Sequence, residues 1–317
     1  MNTKTVVLNG ERINYDGVID YNILSDEVVV YKNSEEADIL KRVEGFGIVV
    51  SKEFILSKEI LKRFPDSVHL ICEAGTGYNN IDLQAAEEKG ITVCNVPAYS
   101  TKRVAHTVLL LMLNLASSMG QQIRMLERKD YQNFEDHLSV PHIEINDKIL
   151  GVIGAGDIGK EVIALGKAFG MKILVYTRTP RPDEDGICYV TLERLLKESD
   201  FLTLHCPLNE QTHHLISVEQ LSLMKKSAFI INTARGPLID EKALIHALQT
   251  KQIAGAALDV QEEEPPQKDN PLYQMENVIL TPHMGWRGLE TRQRLVNMLA
   301  ENIMAYVNGK PQNIVIK

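Results

Sequence analysis

Short apolar runs rich in β-branched residues alternate with longer amphipathic stretches, the pattern of βαβ units wound around parallel sheets. In the first third the runs are Val6–Leu8, Val28–Tyr31, Gly47–Val50, His69–Ala74 and Ile91–Val96. Helical spacing occupies Ser34–Val43, Ser57–Phe64 and Ile81–Lys89, the last with Asp82 at its start and Gly90 just past its end as a C-cap. A second series begins at Lys148, with runs Ile149–Ala155, Lys172–Thr177, Phe201–Cys206, Ala228–Ala234, Ala254–Val260 and Val278–Pro282. Helical patterns at Gly159–Phe169, Leu192–Glu198, Val218–Met224 and Glu241–Gln249 separate most of them. Six strands wound in this order predict a dinucleotide-binding fold.

Three further segments set the organisation. Ser100–Met119 carries apolar residues on more than one face, which predicts a helix buried on several sides, a connection packed between two domains. Gln121–Asn146 is polar and irregular and reads as an excursion from the core, a candidate dimer arm. Leu289–Asn308 predicts a long amphipathic helix that needs a partner surface, for which the first domain is one candidate. The expected fold is α/β, with two doubly wound parallel-sheet domains and a cleft between them. A smaller, flavodoxin-like substrate domain takes residues 1–99 and 288–317, and a Rossmann dinucleotide-binding domain takes residues 100–287.

Composition narrows the function classes. The 317 residues are 44% apolar and 24% charged, which excludes wholesale disorder. Thirty-four basic against 42 acidic residues give a formal net charge of −8, without a basic run, so a nucleic-acid partner is not expected. The longest apolar run, Val108–Leu113, breaks at Asn114, far short of the roughly 20 residues of a membrane span. Met1 to Leu8 reads as a first strand without a secretory signal. The four cysteines, Cys72, Cys94, Cys188 and Cys206, share no CxxC spacing. Free thiols in a reducing cytoplasm are expected, with no disulfide framework and no metal site.

The sharpest motif is Gly154-Ala155-Gly156-Asp157-Ile158-Gly159, a GxGxxG between a predicted strand and a predicted helix. Gly154 permits the tight turn, Gly156 lets the backbone approach a pyrophosphate, and Gly159 allows close helix–strand packing. Amides at the helix N-terminus, with Asp157 and Ile158 in that turn, then face the phosphates. An NAD site commonly places an acid about 20 residues further on, for the ribose 2′-hydroxyl. Here Thr177 and Arg178 stand there, with Arg181 close by. A guanidinium can hold a 2′-phosphate bidentately, so NADP is expected over NAD. The bland alternative makes both arginines solvated surface charges and leaves NAD bound through its other contacts.

Three groups follow predicted strands of the second series: Asn232–Gly236, Asp259–Pro266 and Thr281–Trp286. Ligands of open α/β sheets bind beyond the carboxyl ends of the strands, where all three can converge. Singly, Arg235 could be half of an interdomain salt bridge, Glu264 one of three solvated carboxylates, and His283 a packed loop histidine. Together they supply what reduction of a 2-keto acid needs: a cation for the carboxylate and carbonyl, and a proton donor for the developing alkoxide. A carboxylate beside an imidazole favours its charged form and keeps the acid loaded. The remaining histidines show no comparable partner set in the sequence and read as packing or surface residues.

With these residues in view, the sequence resembles the D-isomer-specific 2-hydroxyacid dehydrogenase family, and within it glycerate dehydrogenases and hydroxypyruvate reductases. The resemblance covers nearly the whole chain. It is carried by Gly75–Asp82, Asn95–Thr101, Gly154–Gly159, His205–Leu208, Asn232–Gly236, Leu258–Val260 with Glu264-Pro265, and Thr281–His283. It implies that Arg235 binds the substrate, that His283 is the acid/base and that Glu264 is its partner. Backbone amides of Gly75-Thr76-Gly77 are implied to bind the substrate carboxylate. Ile158, Cys206, Pro207, Thr212, Thr233, Ala234 and Asp259 are implied to contact the dinucleotide. The implied activity is hydride transfer between NADP or NAD and a small 2-keto or D-2-hydroxy acid, hydroxypyruvate or glyoxylate, in a cytoplasmic homodimer. A dinucleotide-sensing protein of the corepressor type and a phosphite- or formate-type dehydrogenase are the alternatives on this fold. His106 stands where the family commonly has Glu or Gln, and no role is assigned to it.

Overall fold

The computed structural model describes residues 2–316. The chain divides into two compact units, Met1–Ser100 with Trp286–Lys317, and Thr101–Gly285. In the first, β1 (Thr5–Val7), β2 (Val28–Val30), β3 (Ile48–Ser51), β4 (Leu70–Glu73) and β5 (Thr92–Cys94) are parallel, in the order β2-β1-β3-β4-β5. That is the flavodoxin-like winding, with its switch point between β1 and β3. Alternation along the strands gives the sheet two apolar faces. Val6, Val49, Ile71 and Val93 share a core with residues from the helical segments α1 (Ile39–Val43), α2 (Lys58–Leu61) and α3 (Leu83–Glu88). Val7, Val50, Cys72 and Cys94 share the opposite core with Leu295, Val296, Leu299 and Ile303.

The second unit contains α4 (Thr101–Ala116), α5 (Met119–Glu127), α6 (Gln132–Glu135), β6 (Ile149–Ile153), α7 (Asp157–Ala168), β7 (Lys172–Tyr176) and β8 (Ile187–Tyr189). It continues through α8 (Leu192–Glu198), β9 (Phe201–Leu204), α9 (Val218–Leu223), β10 (Phe229–Asn232), α10 (Glu241–Gln249), β11 (Gly255–Leu258) and β12 (Val278–Leu280). Its seven strands are parallel in the order β12-β11-β10-β9-β6-β7-β8, the Rossmann order lengthened by one edge strand. Residues of α4 and α7 share the core on one face, and residues of α8, α9 and α10 the core on the other. The chain then returns to the first unit through α11 (Leu289–Val307) and β13 (Ile314–Ile316).

Five details depart from the sequence expectation. β8 makes a seventh strand, missed because Ile187-Cys188-Tyr189 is a half-buried edge segment without a long apolar run. β13 pairs antiparallel with β5, so the first sheet is not wholly parallel. α7 opens at Asp157, two residues before Gly159, because Gly156 takes the cap position. The stretch read as irregular contains α5 and α6, whose faces are largely solvent-exposed and so lack a buried stripe. α4 buries one broad face and not several, since Leu110 and Leu113 are exposed. Among the described residues no single helix is long and apolar enough to cross a membrane.

One ion pair fixes the returning helix. Arg292, on α11 and 2% exposed, donates from Nη1 to Ile13 O at 2.8 Å and from Nη2 to Asp16 at 2.6 Å. The guanidinium, chiefly through this hydrogen bond, holds the Asp16 carboxyl down at about 2. A carboxyl held below its unfolded value stabilises the fold above that unfolded value, and the stabilisation disappears as pH falls through the native one. Between pH 4 and pH 2 the wild type should therefore lose more stability than Asp16→Asn, measured by denaturant titration; parallel losses would refute this anchor.

Candidate active site

The loop between β6 and α7 is shaped by backbone contacts. Gly154 has φ +95°, and a Cβ there would lie 2.8 Å from His205 O and 2.9 Å from Cys206 N. A Cβ on Gly159 would lie 2.1 Å from Gly154 O. Both glycines are thus required by the fold itself. Gly156 differs: nothing lies within 4 Å of its Cβ position, so its bareness leaves open space at the head of α7. The first amides of that twelve-residue helix have no intrahelical acceptor, and Gly156 offers no side-chain cap. Orphan amides, a positive helix end and bare space suit a pyrophosphate. Thr233 adds a buried hydroxyl without a hydrogen-bond partner among the described residues. These residues fit a dinucleotide.

Other residues implied for the dinucleotide lie around this loop in varied states. Thr177 Oγ1 donates to Thr179 O at 2.8 Å, and the exposed Arg178 donates to Gln211 Oε1 at 3.2 Å. Arg178 thereby links the end of β7 to the turn after β9. Thr212 spends its hydroxyl inside that turn, donating to Pro207 O at 2.7 Å and accepting from Asn209 N at 2.8 Å. Burial pushes the Cys206 thiol up to about 11. Burial also lowers the neighbouring His205 to about 3, so its imidazole is neutral beside Thr203 Oγ1, 2.9 Å away.

The neighbouring strands β10, β11 and β12 end together, and their following loops carry Arg235, Glu264 and His283. Arg235 is extended (φ −148°, ψ 136°), with Nη1 on Ala234 O at 2.7 Å and its own carbonyl accepting from Asn232 Nδ2 at 2.8 Å. Gly236 presses on the second loop: a Cβ there would sit 1.8 Å from Gln261 O. Glu264 accepts from Gln261 N at 3.0 Å through one oxygen and meets His283 Nδ1 at 2.8 Å through the other. A carboxylate partner makes Nδ1 the donor in that bond and leaves Nε2, unengaged among the described residues, as the working nitrogen. The other two glutamates of the run are occupied elsewhere. Glu262 meets His214 Nε2 at 2.9 Å, and Glu263 accepts from Gln267 at 2.8 Å.

His283 is left-handed, at φ +49°, a conformation that costs energy for a side chain of this size. Asp259 stabilises it. Its carbonyl accepts the His283 amide at 2.8 Å, and its carboxylate takes Thr281 Oγ1 at 2.6 Å, Met284 N at 2.9 Å and Gly285 N at 2.8 Å. The carboxylate is therefore committed to its own chain, beside any contact with a dinucleotide.

The 75–77 loop belongs to the first unit. It is tethered to the strand β5 exit: Val96 N donates to Gly75 O at 2.9 Å, Thr76 Oγ1 to Val96 O at 3.1 Å, and Asn95 Nδ2 to Thr76 O at 2.7 Å. The amides of Thr76 and Gly77 have no acceptor among the described residues, as an anion-binding loop requires. Sequence reasoning missed the His214–Glu262 pair, because 48 residues separate the partners. His106 is exposed on α4. No group of three or more His, Cys, Asp or Glu among the described residues could hold a metal ion.

Residues 109–285 match the family described as "D-isomer specific 2-hydroxyacid dehydrogenase, NAD binding domain". Hydroxypyruvate reductase of Blautia hydrogenotrophica is 34% identical over 323 residues, spanning 99% of this chain and all of that protein. Glyoxylate reductase of Korarchaeum cryptofilum is 39% identical over 282 residues, 87% of this chain and 85% of that one. The crystal structure of D-lactate dehydrogenase from Aquifex aeolicus, complexed with NAD and lactic acid, superposes with TM-score 0.86 at 30% identity, covering 99% of each chain.

Asp259→Asn puts an N–H where the carboxylate now receives backbone donors. It should lower stability by about 1–3 kcal/mol through unsatisfied buried groups. Denaturant titration reads the loss, and an unchanged midpoint would remove Asp259 as the support of the His283 loop.

Proposed function

The chain belongs to the D-isomer-specific 2-hydroxyacid dehydrogenase family, and on that premise we propose that it reduces hydroxypyruvate or glyoxylate, with NADP(H) preferred. Membership carries the reaction type: it is a nicotinamide-dependent oxidoreductase of 2-keto and 2-hydroxy acids. The single observation behind the assignment of roles is the His283 Nδ1–Glu264 contact of 2.8 Å, on loops adjoining that of Arg235. The names of the two relatives support the small substrate.

In this reading Arg235 pairs with the substrate carboxylate and polarises the adjacent carbonyl, so the carbonyl carbon becomes more electrophilic. The nicotinamide, when bound, donates or accepts the hydride. His283 delivers a proton from Nε2 to the carbonyl oxygen as that oxygen becomes an alcohol, and removes it in the reverse direction. Glu264 orients the ring and stabilises its imidazolium form. Amides of Gly75-Thr76-Gly77 receive the carboxylate, which makes the first unit the substrate domain and the second the dinucleotide domain. Gly154, Gly156, Asp157, Ile158, Gly159, Cys206, Pro207, Thr233 and Ala234 line the cofactor site, and Arg178 takes the 2′-phosphate. The same proposal includes a cytoplasmic homodimer. The exposed apolar side chains of Leu113, Met119, Ile123, Leu126, Tyr131 and Phe134, on α4 to α6, favour a second copy as their cover.

Initial rates with glyoxylate, hydroxypyruvate, pyruvate and bulkier 2-keto acids test the substrate, with the first two expected to give the highest kcat/KM. Arg235→Ala should lose both binding and turnover, and His283→Ala mainly turnover, by about 10²–10⁴-fold. Wild-type rates in both variants would refute the roles. For the cofactor, Thr177→Asp combined with Arg178→Gln should move the NADPH/NADH ratio of kcat/KM towards NADH by about 10–100-fold, the worth of a charged hydrogen bond. An unmoved ratio rejects the 2′-phosphate pocket.

A further inference from the structure

Charge that the reaction scheme leaves unused is buried beneath the 75–77 loop. Lys52, just after β3, is 3% exposed; its ammonium pairs with Glu53 and lies 4.2 Å from the centroid of the Trp286 ring. Glu73, the last residue of β4, is fully buried and accepts from Glu53 N and Asn80 Nδ2, each at 2.9 Å. Gly75 is where the two meet the loop. A Cβ on it would lie 3.4 Å from Lys52 Nζ and 3.5 Å from Glu73 Oε1, at ordinary contact distance, so both charged heads lie beside the first residue of the loop. The exposed Arg12 lies 3.5 Å from Glu53 on its solvent side.

We propose that Lys52 is a positioning residue for the substrate carboxylate: its buried ammonium sets the charge beneath the Gly75-Thr76-Gly77 amides and braces that loop against Trp286. The inference rests on the loop's proposed role as carboxylate receiver. A buried ammonium is expensive to desolvate and persists only where partners compensate it; here they are Glu53 and the face of an indole. In that low-dielectric setting its field is weakly screened and reaches the amides above it.

Glu73 gives the arrangement a pH signature. Burial raises its carboxyl to about 7, with Lys52 pulling in the opposite direction. Lys52 and Glu53 are the charged groups that act on Glu73, and Asn80 donates to it. Below neutrality Glu73 is protonated, and the buried Lys52 faces Glu53 as its one carboxylate partner in the pair. Above it the second, fully buried carboxylate ionises and adds negative charge beside Gly75. An incoming carboxylate is therefore bound more tightly on the acid side, and KM for the keto acid rises as pH climbs through about 7.

The test measures kcat and KM for hydroxypyruvate from pH 5.5 to 8.5, with the dissociation constants of oxamate and the reduced cofactor by calorimetry, for wild type, Lys52→Met, Lys52→Arg and Glu73→Gln. Lys52→Met should raise KM and the oxamate constant about tenfold, the worth of one charged contact, with kcat and cofactor affinity nearly unchanged. Lys52→Arg should recover most of the loss, and Glu73→Gln should remove the rise of KM through neutrality. An unchanged KM in Lys52→Met overturns the proposal, as does a loss that Lys52→Arg fails to restore. Should Lys52→Met not fold, Glu73→Gln decides, and a wild-type pH profile in it counts against the proposal. A wild-type enzyme inactive on every 2-keto acid would refute the reading of the site instead.

Discussion

Asp259 leaves β11 with its carboxylate turned onto the loop that follows β12, and the orientation of His283 derives from that contact. Three donors of the chain, Thr281 Oγ1, Met284 N and Gly285 N, converge on one buried acid. They close a turn in which His283 can be left-handed, a conformation a histidine seldom adopts unsupported. Gly285 is part of the same constraint, since a Cβ there would fall 2.8 Å from Asp259 Oδ2. The imidazole is held from two sides: its backbone by Asp259, its Nδ1 by Glu264. Fixing ring and tautomer together is what general acid chemistry demands of a scaffold, because a proton donor displaced by an ångström loses much of its effect.

That constraint explains how legible the site is in the sequence. Glu264 is separable from Glu262 and Glu263 only through the family resemblance, since composition makes the three carboxylates equivalent. The structure separates them by backbone geometry: Gln261 N anchors Glu264, while Glu262 turns to His214 and to Glu241 N. A sequence pattern records which side chains are available, not which way a turn aims them. The GxGxxG loop is legible for the converse reason. Two of its glycines answer to steric contacts at 2.1 to 2.8 Å, and such contacts leave no residue but glycine.

The same logic sorts the elements. Buried parallel strands announce themselves as apolar runs, so β1, β3, β4, β6, β9, β10 and β11 stand out in the amino-acid pattern alone. β8 and β13 sit at sheet edges with every residue only half-buried, and half the apolar signal is absent there. α5 carries Met119, Ile123 and Leu126 at helical spacing within an otherwise polar stretch, but that stripe is exposed and α6 has no buried residue either. α4 misleads in the opposite direction. Its surplus of leucines suggests burial on several sides, yet Leu110 and Leu113 remain exposed, and surplus apolar surface of that kind is a feature of association.

Lys52 and Glu73 are illegible on different grounds. Each closes or follows an apolar strand, where a charged residue ordinarily marks the emergence of the chain into solvent. Here both remain inside: Glu53 and the remote Trp286 compensate the ammonium, and Asn80 with the Glu53 amide binds the carboxylate. Trp286 is also the residue at which the chain re-enters the first unit, three positions beyond His283, and its ring meets that of Tyr99 edge-on at 6.4 Å, beside the other exit at Ser100. The buried ammonium thus lies over the indole of that pair and beside the first residue of the 75–77 loop. Glu73 and Lys52 both lie beside Gly75, so a change in the protonation of Glu73 is felt at the head of the loop without a longer pathway.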